Sequence, residues 1–156
     1  MLIPGCEFEV SMDAKGRFLL PAGYRKLLPE DAELKFNIKK DLNKGCIKLY
    51  TSEAWQKLAA KITKLNPLHP KVEQIRTLFF YGTMNLELDS AGRLLIPKSW
   101  KEHAGLEKDV TFVAQGDVVE IWDTKRYNDY VMQNQAQYNE LLNEAFGGNL
   151  LDPFGE

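Results

Sequence analysis

Apolar and polar residues alternate over Phe8, Val10 and Met12, and the same spacing returns at Met84, Leu86 and Leu88. A period of two marks a half-buried strand, with one face on a core and the other in water. Each run leads into a short polar stretch and a second apolar run, MDAKGRFLLP at 12–21 and LDSAGRLLIP at 88–97. An offset of 76 places Asp13 on Asp89, Gly16 on Gly92, Arg17 on Arg93, Leu19 on Leu95 and Pro21 on Pro97. Self-similarity of this kind reads as one supersecondary unit built twice.

The match continues downstream. Tyr24 and Arg25 fall on Trp100 and Lys101, and Leu34 and Phe36 on Val110 and Phe112. The offset then drops to 72, with Tyr50, Thr51 and Trp55 on Trp122, Asp123 and Tyr127, which assigns about four extra residues to a basic turn near KKDLNKG. Each copy predicts strand, tight turn, strand, short helix, strand, turn, strand and helix. Pro21 and Pro97 suit the first helical position, whose amide would go unpaired in any case. The short helices AGYRKLL and KSWKEHAGL are closed by Pro29 and Gly105.

Trp55, Leu58, Ala59, Ile62 and Leu65 recur at helical spacing up to the breaker NPLHP. A further helix is predicted from Pro70, with Val72, Ile75, Leu78 and Phe79 on one face and Gly82 beyond its end. Tyr127, Tyr130, Val131, Tyr138, Leu141, Leu142 and Ala145 predict a closing helical stretch. Whether QNQAQ splits it stays open. The domain boundaries expected are 1–80 for the first repeat with its helices, 81–146 for the second, and a mobile tail over 147–156 unless Leu150, Leu151 and Phe154 find a groove.

With 156 residues the chain suits one domain or two very small ones. Its net charge of −2 argues against a protein that coats nucleic acid, yet residues 1–48 hold nine Lys and Arg against seven Asp and Glu, and the remainder eleven against fifteen. An oriented basic edge is compatible with that imbalance. There is no long apolar run, and MLIPGCEFEV lacks the features of a secretory signal, so a cytoplasmic location and no membrane contact are expected. Cys6 and Cys46 lack metal or redox spacing and read as ordinary buried thiols. His69 and His103 stand beside loop signals and read as structural or surface residues. Glu7 with Glu9, and Glu102 with His103, form no convincing acid–base pair, and no nucleophile, zinc or phosphate motif occurs. No enzyme activity, metal, cofactor or small-molecule substrate is expected.

The doubled turn holds the candidate chemistry. Asp13 and Asp89 can accept hydrogen bonds from turn amides, and Gly16 and Gly92 can take a positive φ. No backbone conformation demands Arg17 or Arg93. Either each arginine braces its turn by pairing with Asp13 or Asp89, or the guanidinium projects toward phosphates and base edges of DNA. Lys15 adds a cation at the first tip, where the second copy has Ala91 after Ser90. If one turn alone reads DNA, it is the first. Lys39, Lys40 and Lys44 read as a solvated hairpin. Arg25 and Lys26 face solvent or an adjoining subunit, and Trp55, Trp100 and Trp122 read as packing rather than base-stacking residues.

The doubled Asp-x-x-Gly-Arg motif, the repeat, and the endings LLP and LLIP resemble the bacterial MraZ family, built from two SpoVT-AbrB-like units. The resemblance runs from about Phe8 to Ala145. It implies an α+β fold, mainly β at its core, in which tandem AbrB-like hairpin units form a pseudo-two-fold, barrel-like body with outer helices. It further implies closed-ring homo-oligomers that regulate transcription in the cytoplasm, associated with the nucleoid. Such proteins bind double-stranded DNA at short direct repeats in the promoter of the division and cell-wall gene cluster, usually to repress it. The motif carries over onto Asp13, Gly16 and Arg17 and onto Asp89, Gly92 and Arg93. The implied DNA-binding residues are Lys15, Arg17 and Arg93. An AbrB-fold antitoxin, and a structural ring in which both arginines only brace their turns, are the alternatives.

Overall fold

A computed structural model describes residues 5–148. The expected element order is present in both copies. The first has β1 (Cys6–Ser11), β2 (Arg17–Leu19), α1 (Ala22–Arg25), β3 (Lys35–Lys40), β4 (Ile47–Thr51) and α2 (Ser52–Thr63), followed by α3 (Pro70–Phe80). The second has β5 (Thr83–Glu87), β6 (Arg93–Leu95), α4 (Lys98–Ala104), β7 (Asp109–Gln115) and β8 (Val118–Asp123). Pro21 and Pro97 stand one residue before their helices, at the caps. The chain divides into two compact units, Met1–Thr124 and Lys125–Glu156. From the last residue of the first unit onward, α5 (Thr124–Asn134) and α6 (Tyr138–Phe146) are separated by one tight turn over Gln135–Gln137, so QNQAQ does split the helical stretch. The expectation of a mobile tail falls, from residue 149 onward, outside the described residues.

The two copies intermix. Six strands form one antiparallel sheet in the order β1-β7-β8-β4-β3-β5, and β2 pairs with β6 in a separate two-stranded ribbon. Read from either end, the sheet order exchanges each strand for its counterpart, so the topology has two-fold symmetry. Closure into a barrel does not occur: β1 and β5 are the two edges of an open sheet. Alternation along a strand fixes which side chains face the core, but says nothing about whether the outermost strands meet.

Register corrects one part of the repeat alignment. Val10 lies opposite Val110 and Phe8 opposite Phe112, whereas Leu86 lies opposite Phe36 and Met84 opposite Ile38. Phe36 therefore corresponds to Val110, and Ile38 to Phe112. Two of the four extra residues enter ahead of β3 and two enter the β3–β4 turn. A slip of two residues keeps every side chain on its face, so the hydrophobic pattern is blind to it.

The core lies between one face of the sheet and the ribbon with its short helices. Phe18 of β2, Leu94 of β6 and Tyr24 of α1 are buried there against Phe36, Ile38, Ile47, Leu49, Val110, Phe112 and Ile121. Phe112 is its hub, with the rings of Phe8, Phe18 and Tyr24 edge-on at centroid distances of 6.2, 6.4 and 5.0 Å. Full burial of a ring such as Phe18 or Phe112 stabilises the fold by about 1.5–3 kcal/mol, with a further contribution from edge-to-face geometry. A smaller aromatic cluster joins β4 to α2 and α3, where Trp55 stacks on Phe79 at 5.3 Å and meets Tyr50 at 5.3 Å. Val72 of α3 is buried, but Ile75 and Leu78, expected on the same inward face, are exposed.

Candidate nucleic-acid interface

The ribbon places the two Asp-x-x-Gly-Arg turns at its opposite ends. At the first, Asp13 Oδ1 accepts from the backbone amides of Lys15 and Arg17, both at 2.9 Å, and Oδ2 accepts from Arg17 Nε at 2.7 Å. The second repeats this atom for atom: Asp89 Oδ1 accepts from the amides of Ala91 and Arg93 at 2.9 Å, and Oδ2 from Arg93 Nε at 2.8 Å. The amide of Arg17, followed by its side chain, holds the Asp13 carboxyl below its usual pKa, and Arg93 does the same for Asp89.

Gly16 and Gly92 have φ of 89° and 79°. Their carbonyls accept from the opposite strand, Gly16 O from the Ile96 amide at 2.8 Å and Gly92 O from the Leu20 amide at 3.2 Å. Each turn is thereby tied to the end of the other repeat's strand as well as to itself.

Each arginine thus braces its turn, but only through Nε. Among the described residues Asp13 is the sole hydrogen-bond and ion-pair partner of the Arg17 side chain, and Asp89 that of Arg93. The Nη groups remain available on side chains that are 31% and 35% exposed. Bracing through Nε is observed, and it leaves the rest of the guanidinium unpaired on a partly exposed side chain.

Two further cations stand beside the turns, each from the other repeat. The Lys101 side chain of α4 approaches Gly16, its Cδ 3.0 Å from where a Cβ would stand, and Arg25 Nη1 of α1 lies 3.5 Å from the same point on Gly92. Arg25 is therefore placed against a turn of its own chain. The sequence held the signal, since Arg25 and Lys101 are repeat-equivalent cations, but the crossing of copies was needed to bring them here.

The two ends differ in charge. Ser11–Arg17 carries two cations and one anion, net +1, while Glu87–Arg93 carries one and two, net −1. Counting Lys101 and Arg25 makes the difference +2 against 0. A surface depression of about 580 Å³ beside the second turn is lined by Glu33, Glu87 and Asp89 together with Arg25 and Lys35. Lys15 is exposed at the first tip.

Lys26 is exposed, whereas Lys39, Lys40 and Lys44 are engaged internally. Lys39 Nζ donates to the Phe79 carbonyl at the end of α3 and lies over the Phe79 ring at 4.8 Å. Lys40 Nζ donates to Ser99 Oγ and lies 4.8 Å over Trp100. Lys44 pairs with buried Glu120 at 3.0 Å, and Trp122 Nε1 donates to the same carboxylate at 2.9 Å. These lysines are bound into the structure rather than forming a simple solvated loop. Trp122 is buried and Trp100 half-buried, with its Nε1 donating to the Gly82 carbonyl. His69 caps α3 by accepting from the Lys71 amide at 3.1 Å, and His103 Nε2 lies 2.8 Å from the Asp41 carbonyl. Cys46 is buried, and that burial pushes its thiol pKa up to about 12. Cys6, expected to be buried, is exposed on the edge strand β1. No helix among the described residues is long and apolar enough to cross a membrane.

A family model described as "MraZ protein, putative antitoxin-like" matches this chain over residues 5–76 and again over 79–148. A protein of Cytophaga hutchinsonii named "Transcriptional regulator MraZ" is 36% identical over 135 residues, covering 86% of this chain and 89% of its own. Proteins of the same name from Proteus mirabilis and Acetivibrio thermocellus are 34% and 38% identical. They cover 92% and 80% of this chain, and 93% and 83% of their own lengths.

Proposed function

The chain belongs to the MraZ family, and from that premise we propose that it is a sequence-specific, DNA-binding transcriptional regulator whose first Asp-x-x-Gly-Arg turn meets the duplex. The observation that carries this is the Arg17 guanidinium, held through Nε by Asp13 with its Nη groups unpaired on a partly exposed side chain, at the more basic end of the ribbon beside Lys15 and Lys101. Such a fork matches the two acceptors on a guanine edge, while lysines attach to phosphate.

Its proposed target is the promoter of the division and cell-wall gene cluster, which it represses through short direct repeats. One turn with three cations binds duplex DNA weakly, because non-specific protein–DNA dissociation constants lie near ~1–100 μM even for fuller interfaces. We therefore assign the active form to a closed ring, in which several identical turns convert later contacts into intramolecular ones. The charge difference between the ribbon ends supports direct over inverted repeats: a subunit with one favoured end has a polarity, and copies related around a ring present it in the same sense.

The test is binding of the purified full chain to DNA upstream of its own gene, against a scrambled duplex of equal length, between about 50 and 200 mM salt. Preference for the upstream DNA, with affinity falling as salt rises, is expected. Equal binding to both duplexes overturns the proposal.

A further inference from the structure

The outer face of the β2–β6 ribbon is a checkerboard. Arg17 lies opposite Leu95 and Leu19 opposite Arg93, while Phe18 and Leu94 between them point into the core. The leucines are 62% exposed at position 19 and 50% at 95, against 2% and 0% for Phe18 and Leu94. A single exposed leucine needs no explanation. Here two occupy the same position in both repeats, each paired across the strands with an outward arginine.

A two-stranded ribbon fits the DNA major groove, roughly 12 Å wide, where thymine alone presents a methyl group to apolar side chains. An apolar residue fixed beside an oriented guanidinium therefore has a specific counterpart: a thymine methyl next to the base that the arginine contacts. The two leucines are not equivalent, because Leu95 is at the end shared with Lys15, Arg17 and Lys101, and Leu19 at the less basic end.

We propose that Leu95 is a specificity-determining residue that packs on a thymine methyl beside the base contacted by Arg17, making the reading site a composite of both repeats. This rests on the DNA-binding reading above. Flanking cations select a nucleic acid over an apolar protein surface as the occupant of this face.

Upstream DNA synthesised with deoxyuridine for thymidine removes these methyls and keeps every base pair. Binding of both DNAs is compared for the parent, Leu95→Ala, Leu95→Thr and Leu19→Ala, with circular dichroism as the check on folding. The parent is expected to bind uracil DNA about 4-fold more weakly for each site engaged, the worth of one buried carbon. Leu95→Ala and Leu95→Thr should erase or shrink that ratio, and Leu19→Ala should keep it. Threonine retains strand propensity, so loss of the ratio in both Leu95 variants separates reading from folding. An unchanged ratio in the Leu95 variants, or no ratio in the parent, overturns the proposal. So does a change of native mass in the Leu95 variants with the ratio kept, which makes Leu95 a contact between copies. Failure of the parent to prefer upstream over scrambled DNA overturns the DNA-binding reading itself.

Discussion

Arg17→Ala should lower affinity for the upstream DNA far more than Arg93→Ala, although the two side chains brace their turns identically. A bidentate arginine–guanine contact is worth about 1–3 kcal/mol of discrimination, or about 5- to 150-fold for each engaged turn. Two turns of one ring on two direct repeats square that factor, to about 30- to 20,000-fold. Arg93→Ala removes the same Nε hydrogen bond at the other end, so it controls for bracing and should cost less than about 3-fold in binding. Arg17→Lys keeps the charge and loses the fork, and should retain salt-dependent attachment while losing preference over scrambled DNA. Lys15→Ala should leave preference intact and reduce the salt slope by about one for each engaged turn. Fluorescence anisotropy across a salt series reads all of these, with melting temperature and native mass as checks. Equal losses from Arg17→Ala and Arg93→Ala, or a loss that follows melting temperature, would refute the assignment of base reading to Arg17.

The remaining predictions concern the turns as structures. Gly16→Ala places a Cβ 2.6 Å from the Ile96 carbonyl oxygen at a φ of 89°, whereas Gly92→Ala meets only Arg25 Nη1 at 3.5 Å. Both incur about 1–2 kcal/mol of left-handed strain, and Gly16→Ala should show the larger fall in melting temperature because a backbone carbonyl must also move. The folded-state pKa values of Asp13 and Asp89 lie below 3.8, so their contribution is present at neutral pH and is lost as pH falls through those lowered values. The side-chain carboxyl carbon resonances of Asp13 and Asp89 should titrate with midpoints below the ordinary aspartate value of about 3.9. Midpoints at or above that value would contradict the carboxylate brace.

Much of this was readable because the apolar pattern is written twice. Period-two runs at Phe8–Met12 and Met84–Leu88 located β1 and β5, and the Gly16 and Gly92 turns followed from residue type. Brace and contact exclude each other at Arg17 only if the side chain acts as one group. A guanidinium has five N–H donors, and here Nε takes one role while Nη is left for another. Interactions set by the tertiary path were out of reach. The destinations of Lys39, Lys40 and Lys44 depend on where α3, α4 and Glu120 lie, and the approach of Lys101 to Gly16 depends on β2 pairing with β6 across the repeat. The two-residue slip between β3 and β7 was hidden for a different reason: it conserves the one signal, facing, that the pattern carries.

Within the two turns, the residues the copies share are those the brace uses, and the tip positions where they differ are exposed. Asp, Gly and Arg are shared by both turns, as are the apolar positions of the ribbon, yet positions 14 and 15 read Ala-Lys and positions 90 and 91 read Ser-Ala. None of the hydrogen bonds that build either turn uses those side chains. Charge at the tip can therefore be moved without touching the brace. A variant combining Ala14→Ser, Lys15→Ala, Glu87→Ser, Ser90→Ala and Ala91→Lys should melt close to the parent, since exposed substitutions of this kind usually change stability by no more than about 0.5 kcal/mol each. In that background the sensitive arginine should change ends, with Arg93→Ala now costing more binding than Arg17→Ala. If Arg17 stayed dominant after the charges had been moved, the preference would have to come from the shape of the first end, and the electrostatic argument for its selection would fail.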